Sequence, residues 1–233
     1  MTSHRVHERW AERSGEYSPE YYAYYGPDER SELVRGALDR FVEPDAPVLE
    51  LGCSAGRHLA HLHDAGYDDL HGVDVNGESF EVMADAYPDL TRDGSFYTES
   101  IENLVADSDD DAFAAVYSVQ TLQHIPPENE WVFDEVARIA SDLLVTVEVE
   151  SERGERGAED GDGGREGEAG GVVDDHTGDV PDATGTRGVN YVTEEIPLYY
   201  RNWESVFTER GFVQVDAESV DADTFRALRP ATR

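Results

Sequence analysis

Residues 48–57 read Val48-Leu49-Glu50-Leu51-Gly52-Cys53-Ser54-Ala55-Gly56-Arg57, and this stretch decides the fold of the chain. Its apolar start predicts a strand, its small residues predict a tight turn, and a helical pattern follows the turn. Glycine has no Cβ, so Gly52 and Gly56 let the backbone turn and pass close to a ligand. A strand, a turn and a helix start in this order present backbone N–H groups to a bound nucleotide. Taken alone, the two glycines fit an ordinary strand-to-helix turn equally well.

A carboxylate follows at a spacing that favours a nucleotide site. Asp74 ends the second predicted strand, in the run His71-Gly72-Val73-Asp74-Val75. An aspartate at this position can accept hydrogen bonds from both hydroxyls of a cofactor ribose. The alternative is an aspartate that caps the next helix, a role that Asn76 can also fill. A nicotinamide cofactor is disfavoured, because Gly52-Cys53-Ser54-Ala55-Gly56 lacks the spacing Gly-x-Gly-x-x-Gly.

Strands and helices alternate from residue 48 onward, which predicts a parallel sheet in an α/β domain. The predicted strands are 47–51, 71–75, 95–98, 113–119, 143–149, 212–217 and 224–228. One helix is predicted to begin at Ser18-Pro19-Glu20 and to stop at Gly26-Pro27. Helices are also predicted over 29–41 and 198–210, and after the first, second and fourth strands.

Two segments differ from the α/β pattern. We expect residues 1–42 to form an N-terminal helical lid and residues 43–233 to form the main domain. Tyr21, Tyr24 and Tyr25 of the lid are candidate substrate contacts, because aromatic faces suit both cations and apolar substrates. The alternative is simple packing of an amphipathic helix. Residues 151–188 are dominated by Gly, Glu and Asp and hold no aromatic residue, so we expect an acidic, disordered insertion.

The charge of the chain is extreme. Its 52 acidic and 18 basic residues give a formal net charge of −34, and the chain has no lysine. One interpretation is a disordered acidic interaction protein. The periodic apolar segments and the spread of acids along the whole chain favour a folded protein adapted to molar salt, where the Debye length falls to about 3 Å. We therefore expect an extremely halophilic source, and no nucleic-acid partner because arginines are not clustered.

The residues between Val48 and Val149 resemble a class I S-adenosylmethionine (SAM)-dependent methyltransferase of the small-molecule type. The segments that carry the resemblance are Glu50-Leu51-Gly52-Cys53-Ser54-Ala55-Gly56-Arg57, Gly72-Val73-Asp74-Val75, Ser100-Ile101-Glu102-Asn103-Leu104, Ala115-Val116-Tyr117-Ser118-Val119-Gln120-Thr121-Leu122-Gln123-His124-Ile125 and Gly211-Phe212. The resemblance implies a Rossmann-like three-layer α/β sandwich. Its seven-stranded, mostly parallel sheet would end in an antiparallel C-terminal hairpin strand. SAM is the implied cofactor, and the methyl acceptor is left undefined.

The resemblance also implies which residues hold the cofactor. They are Glu50, Gly52, Ser54, Gly56, Asp74, Val75, Ser100, Ile101, Ser118 and Gln120. In this arrangement Glu50 holds the cofactor ammonium group directly or through water, and Ile101 packs on the adenine. Ser118 and Gln120 line the methyl end of the site.

Three positions depart from the family pattern. Ser54 stands where a second glycine is usual, and its small side chain should be tolerated. Ser100 stands where many relatives place an aspartate against the adenine amino group, and its hydroxyl can still form a hydrogen bond there. Gln120 lies in the loop that faces the sulfonium methyl group, where its amide can bond the amino-acid end of the cofactor or a substrate but cannot act as a base.

Histidines and the single cysteine are further candidates for chemistry. His124 lies just past the fourth strand, where it can act as a general base toward a substrate hydroxyl or amine. The alternative is a histidine that hydrogen-bonds its own loop. We expect Cys53 to be a buried packing residue rather than a nucleophile. His58, His61 and His63 lack an acidic or thiolate partner to complete a metal site, so no metal is expected.

The leading hypothesis is a SAM-dependent methyltransferase that acts on an unidentified small-molecule acceptor by proximity and orientation. One alternative is a non-catalytic SAM-binding protein, and another is a folded interaction protein that has lost the cofactor. The N-terminal residues have no apolar signal core and no window approaches a membrane span. We therefore expect a cytoplasmic protein without a membrane partner, and the oligomeric state is left open.

Overall fold

A computed structural model describes residues 3–15, 17–150, 186–193 and 196–231. The helices are α1 (Ser3–Ala11), α2 (Pro19–Tyr25), α3 (Glu29–Phe41), α4 (Arg57–Asp64), α5 (Glu78–Ala86), α6 (Pro88–Asp93), α7 (Ile101–Asp107), α8 (Trp131–Ile139) and α9 (Trp203–Thr208), with 3₁₀ turns at Leu122–His124 and Pro127–Asn129. The strands are β1 (Val48–Leu51), β2 (Leu70–Asp74), β3 (Ser95–Thr98), β4 (Phe113–Val119), β5 (Ala140–Val149), β6 (Thr186–Thr193), β7 (Ile196–Arg201), β8 (Phe212–Val220) and β9 (Asp223–Pro230).

Seven of these strands form one sheet in the order β3-β2-β1-β4-β5-β9-β8. The ladders from β3 through β5 are parallel, whereas β9 runs antiparallel to both β5 and β8. The predicted α/β fold with a mostly parallel sheet and an antiparallel C-terminal hairpin is therefore confirmed. Strands β6 and β7 form a separate two-stranded antiparallel sheet. Most of the predicted insertion, residues 151–185, lies outside the described residues.

The sheet is covered on both faces, as its apolar strands predict. Successive strand residues point to opposite faces, so Val48 belongs to one core cluster and Leu49 to the other. The cluster around Val48 also contains buried residues of α3, α4 and α5, including Leu38 and Leu59. The cluster around Leu49 contains residues of α7, α8 and α9, such as Val136. The result is a three-layer sandwich.

The parallel register brings the carboxyl ends of three strands to one edge of the sheet. Leu51 of β1 pairs with Val73 of β2 on one side and with Ser118 of β4 on the other. The segments that follow these strands therefore leave the sheet side by side. This edge is where ligands bind in open α/β sheets.

Local signals set the helix starts in the N-terminal region. The Ser18 side chain accepts a hydrogen bond from Tyr21 N, Pro19 occupies the first helical position, and Gly26 ends α2. Asp28 and Ser31 form a reciprocal capping box at the start of α3. The predicted helix over 29–41 is confirmed at both ends.

The predicted helix over 198–210 is wrong in its first half. Residues Ile196–Arg201 form β7, and the helix covers only Trp203–Thr208. The residue before a proline favours an extended backbone, so Pro197 disfavours a helix at this point. Asn202 then starts α9 by accepting a hydrogen bond from Ser205 N. The ladder with β6, which lies before it in the chain, completes the strand.

Among the described residues, no helix combines the length and the apolar character that a membrane span requires.

Replacing Trp203 by alanine should destabilise the fold by about 3–5 kcal/mol, because large cavities in a close-packed core are costly. Trp203 is fully buried, and its ring centroid lies 5.5 Å from that of Phe133. Trp131 is 43% exposed, so Trp131→Ala is the matched control and should cost much less. Urea denaturation in molar KCl measures both free energies of unfolding. Equal losses in the two variants would contradict the assignment of Trp203 to the core.

Candidate functional site

A cleft opens at the edge of the sheet where β1, β2 and β4 end, and α1 and the start of α2 cover part of it. It holds about 1030 Å³ of empty space, counting the part that is open to solvent. Residues of the N-terminal helices line one side of the cleft, and residues at the edge of the sheet line the other.

The turn between β1 and α4 forms the floor of the cleft and depends on residues with positive φ. Gly52 has φ of +73° and Gly56 has φ of +74°, a conformation that glycine adopts without strain. A Cβ on Gly52 would lie 2.4 Å from the Thr121 side chain, so this position also has no room for a side chain. Ser54 adopts φ of +47° in the same turn, at the position where the resemblance implies a glycine.

Asp74 connects this turn to the end of β2. Its Oδ2 accepts a hydrogen bond from Ser54 N and its Oδ1 accepts one from Asn76 N, each at 2.8 Å. Burial raises the pKa of Asp74, and these N–H donors oppose that rise. Asn76 in turn accepts a hydrogen bond from the N–H of Glu78, the first residue of α5. Since a carboxylate offers about four acceptor sites, Asp74 keeps capacity for ligand hydroxyls.

Glu50 is a buried carboxyl group at the other side of the turn, only 1% exposed. The Tyr117 hydroxyl donates a hydrogen bond to its Oε2 at 3.0 Å. Burial raises the pKa of Glu50 to about 8, although Tyr117 and the charge of Arg57 act in the opposite direction. The group is therefore largely protonated at neutral pH in the protein alone. A cationic ligand group beside it would favour the ionised form.

A second buried carboxyl group organises the segment after β4. Glu148 Oε1 accepts hydrogen bonds from the Ser118 hydroxyl at 2.6 Å and from the N–H groups of Thr121 and Leu122, both at 3.1 Å. Burial raises its pKa to about 7, and these donors oppose the rise. Glu148 thereby anchors the 3₁₀ turn Leu122–His124 to the end of β5. Ser118 serves this anchor and does not line the cleft.

His124 lies in that turn and lines the cleft. Its Nδ1 is 2.7 Å from the carbonyl oxygen of Pro197 in β7. Because a carbonyl only accepts, Nδ1 carries the proton and Nε2 is the acceptor nitrogen. Burial lowers the pKa of His124 to about 4, so the ring is neutral at ordinary pH. The Trp10 ring packs against it with centroids 5.2 Å apart.

The N-terminal tyrosines contribute to the cleft, but with other residues than expected. Tyr17 and Tyr22 line it. Tyr24 is 85% exposed and Tyr25 is 63% exposed, and neither is among the lining residues. Tyr21 also lies outside the lining and packs on neighbouring tyrosine rings. The cleft side of α2 presents Tyr22 because the Arg57 guanidinium at the start of α4 stacks on this ring, 4.9 Å from its centroid.

Most of the expected site residues come together at the cleft. Those that line it are Glu50, Gly52, Ser54, Asp74, Val75, Ile101, Gln120 and His124. Gly56, Ser100 and Ser118 do not. Gly56 packs against Met83, and Ser100 caps α7 by accepting from Asn103 N at 3.2 Å.

Other lining residues were missed by the sequence analysis. They include Val6, His7, Trp10, Arg13, Asn76, Glu99, Glu102 and Thr121. Val6 and Trp10 are four residues apart in α1, a helical spacing that could have indicated their shared face. His7 approaches Glu102 at 3.4 Å, a long-range contact with no local signal.

Cys53 and His58 are both buried and make contacts with other protein side chains or backbone. The Cys53 side chain is buried, and a Cβ on Gly72 would lie only 2.7 Å from its sulfur, so the two residues pack closely. Burial raises the pKa of the Cys53 thiol well above its ordinary value. His58 is buried with Nδ1 2.7 Å from the Ser31 hydroxyl, and burial lowers its pKa to about 3.

The chemistry of the lining fits SAM. Carboxyl groups at Glu50 and Asp74 supply acceptors for an ammonium group and for ribose hydroxyls. The glycine turn allows close backbone approach, and Ile101 supplies an apolar surface for a base. The two carboxyl groups lie at the ends of neighbouring strands, so one extended ligand can reach both.

Comparison with known proteins agrees with this chemistry. Residues 48–142 match a protein family described as a methyltransferase domain, and this match indicates SAM binding. A search of curated proteins found no match.

Solved structures share the fold at low sequence identity. The PH0226 protein from Pyrococcus horikoshii is 17% identical with a TM-score of 0.60, over 94% of this chain and 100% of that chain. Magnesium protoporphyrin IX methyltransferase from Synechocystis with bound S-adenosylhomocysteine (SAH) is 14% identical with a TM-score of 0.59, over 98% and 95%. A SAM-dependent methyltransferase from Mesorhizobium loti is 10% identical with a TM-score of 0.55, over 91% and 100%. The fold is therefore that of SAM-dependent methyltransferases.

Replacing Glu50 by glutamine should make stability less sensitive to pH. The pKa of Glu50 is about 8 in the folded protein and its ordinary value is 4.5. Between these values the folded protein holds a proton that the unfolded chain has released, so this group makes stability fall as pH rises. We therefore expect the melting temperature of Glu50→Gln, relative to that of the wild type, to rise from about pH 5 to about pH 8.

Calorimetric melting across this range measures the effect, and Glu209→Gln on the exposed end of α9 is the control. Parallel curves for the wild type and Glu50→Gln would show that Glu50 ionises at the same pH in both states.

Proposed function

We propose that this chain transfers the methyl group of SAM to a small-molecule acceptor bound beneath α1 and α2. The observation that carries the proposal is the convergence of Glu50, Asp74 and the turn around Gly52 on one cleft, within a segment that matches a methyltransferase domain. The methyltransferases among the solved structures share this fold, which is consistent with the proposal.

The residues that hold the cofactor follow from the chemistry of the cleft. Glu50 accepts from the ammonium group, and Asp74 accepts from the ribose hydroxyls. Ile101 packs on the adenine, and Val75 lies beside it at the end of β2. Gln120 lines the methyl end. Asp74 is already fixed by two backbone N–H groups, so its side chain loses little conformational entropy when it binds a ligand.

The acceptor site lies between the sheet edge and α1. His7 of α1 approaches Glu102 of α7 at 3.4 Å, and Trp10 packs against His124. These contacts close one side of the cleft, so the space beside the cofactor suits a small molecule better than a polymer. The acidic surface of the chain also disfavours a nucleic-acid acceptor.

The chain's own residues contribute positioning, exclusion of water and one base. When bound, SAM supplies a methyl group on a positively charged sulfur, which keeps the bonding electron pair when a nucleophile displaces it. Trp10 and Tyr22 shield the nucleophile from water and hold it in line with the methyl group. His124 Nε2 accepts the proton of an O–H or N–H acceptor, since its Nδ1 is committed to Pro197.

A second candidate function is a non-catalytic SAM-binding protein. Its support is the weakness of the proton acceptors near the methyl end. Burial lowers the pKa of His124 to about 4, and the Gln120 amide cannot act as a base. An acceptor that arrives unprotonated, such as a thiolate or an amine, needs no base, so this observation does not favour the second candidate over the first for every acceptor.

Titration of SAH into the protein in molar KCl tests cofactor binding. We expect a dissociation constant of about micromolar for the wild type and a loss of at least about tenfold for Asp74→Ala, because the ribose hydroxyls lose their partner. Asp89→Ala on exposed α6 is the matched control and should bind as the wild type does. No binding by folded wild-type protein would contradict both SAM hypotheses.

Transfer of labelled methyl from SAM to sets of small oxygen, nitrogen and sulfur nucleophiles then separates the two candidates. Product in any set supports the enzyme. Cofactor binding with no product in all three sets supports the non-catalytic protein.

Once an acceptor is found, His124→Asn should lower kcat by about 10²–10⁴-fold if that acceptor is protonated when it binds. The introduced amide nitrogen can replace Nδ1 as the donor to Pro197, so the turn should keep its place and SAH affinity should not change. Because His124 is neutral down to about pH 4, its titration should not lower the wild-type rate between about pH 8 and about pH 5. An unchanged kcat with such an acceptor would remove His124 from the reaction.

A further inference from the structure

Five charged and polar side chains form a continuous chain beside the cleft. Arg57 Nη1 lies 3.2 Å from Asp28 Oδ2, and Arg30 Nη1 lies 3.4 Å from the same oxygen. Arg30 Nε then donates to Asp223 Oδ2 at 2.7 Å, and Gln120 Nε2 donates to that oxygen at 2.9 Å. The chain links the start of α4, the turn before α3, the start of β9 and the end of β4. Its last member, Gln120, lines the cleft.

Asp223 is the central member of this chain. Its side chain is fully buried, and a buried carboxylate is tolerated only when it is paired and hydrogen-bonded. Arg30 provides that pairing. Burial alone would lower the pKa of Arg30, but the hydrogen bond and the charge of Asp223 raise it overall. Asp223 is therefore held as a carboxylate, which can only accept hydrogen bonds.

This ionisation state determines the orientation of the Gln120 amide. A carboxylate cannot donate, so the nitrogen of the carboxamide must face Asp223. The carboxamide oxygen is then the atom left for other partners. The backbone of Gln120 supports the same arrangement: its φ is +54°, and its N–H donates to Val147 O at 2.9 Å. Both side chain and backbone are fixed by residues outside the segment that follows β4.

Gln120 lines the same cleft as Glu50, to which we assign the cofactor ammonium group. Glu50 and Tyr117 pair across the ladder of β1 and β4, and Gln120 follows β4 immediately. An ammonium group has three N–H donors, so one carboxyl group at Glu50 does not satisfy it. An amide oxygen is a suitable second acceptor that adds no further negative charge to a buried site.

We propose that Asp223 is a positioning residue, which holds the Gln120 carboxamide with its oxygen available to accept a hydrogen bond from the ammonium group of the bound cofactor. This inference rests on the proposed cofactor binding. It assigns a role in the site to a residue of the C-terminal hairpin, 103 residues away from Gln120 in the chain. Arg30 and Asp28 act through Asp223 and contact no ligand in this scheme.

The test compares two ligands that differ only at the amino-acid end. SAH carries the ammonium group, whereas methylthioadenosine has the nucleoside and the thioether without it. Asp223→Leu removes the acceptor but keeps a side chain of similar size, so the Gln120 amide is no longer held in one orientation. We expect calorimetry in molar KCl to show SAH binding about tenfold weaker than in the wild type, with methylthioadenosine unchanged.

Asp221→Asn is the matched control. Asp221 also pairs with Arg30, at 3.2 Å, but its side chain is 67% exposed and its contact is with Arg30 rather than Gln120. This variant removes the same charge from the same arginine, and SAH affinity should stay at the wild-type value.

Two further variants keep the test decisive if Asp223→Leu does not fold. Gln120→Met removes the amide from a partly exposed position and should also weaken SAH about tenfold without affecting methylthioadenosine. Asp223→Asn is the conservative variant: Arg30 Nε can only donate, so the Asn oxygen faces it and still accepts from Gln120 Nε2. It should bind SAH within about threefold of the wild type.

Unchanged SAH affinity in Asp223→Leu or in Gln120→Met would overturn the inference. Equal losses for SAH and methylthioadenosine would also overturn it, because they would indicate general damage to the cleft. Failure of the wild type to bind SAH is a different result, which refutes the proposed function itself.

Discussion

The parallel ladder that joins β1 to β2 on one side and to β4 on the other is the constraint on which the rest of the structure depends. It ends three strands at one edge, and it aligns Leu51 with Val73 and Ser118. The turn after β1, the carboxylate that ends β2 and the segment after β4 must then meet. The sheet determines where the floor of the cleft lies, and the covering helices and the N-terminal residues form its walls.

Three carboxyl groups shape this floor in different ways. Asp74 accepts from two backbone N–H groups and so joins the turn to β2. Glu148 accepts from the segment after β4 and holds it against β5. Glu50 has a tyrosine hydroxyl as its partner, and burial raises its pKa to about 8. Asp74 and Glu148 bind backbone N–H groups of the protein itself, whereas Glu50 can still ionise beside a cationic ligand.

The remaining acidic residues greatly outnumber the arginines of the chain. With a formal net charge of −34, the chain carries far more carboxylates than its arginines can pair. Several arginines bind two acids each, as Arg92 does with Asp89 and Asp93 at the surface. Exposed pairs of this kind contribute little to stability in water. The halophilic origin that this composition favours stays a prediction, since it rests on charge alone.

The sequence by itself determined the features that depend on neighbouring residues. Ser18 and Pro19 start α2, Gly26 ends it, and Gly52 makes the turn after β1, because caps and turns are local hydrogen-bond and backbone effects. The alternation of strands and helices likewise determined the sheet. Short segments with mixed signals did not: the residues of β7 have helical and extended features, and the ladder with β6 decided between them.

Only the tertiary structure decided which distant side chains act together. Asp223 meets Gln120, and Pro197 meets His124, across 103 and 73 residues of chain. Tyr22 rather than Tyr24 faces the cleft because Arg57 stacks on it. No local pattern encodes such contacts, since each depends on how separate elements pack. Many of the residues that line the cleft could be predicted from their type and spacing, but their partners, and hence their ionisation and orientation, come from the packing of the whole fold.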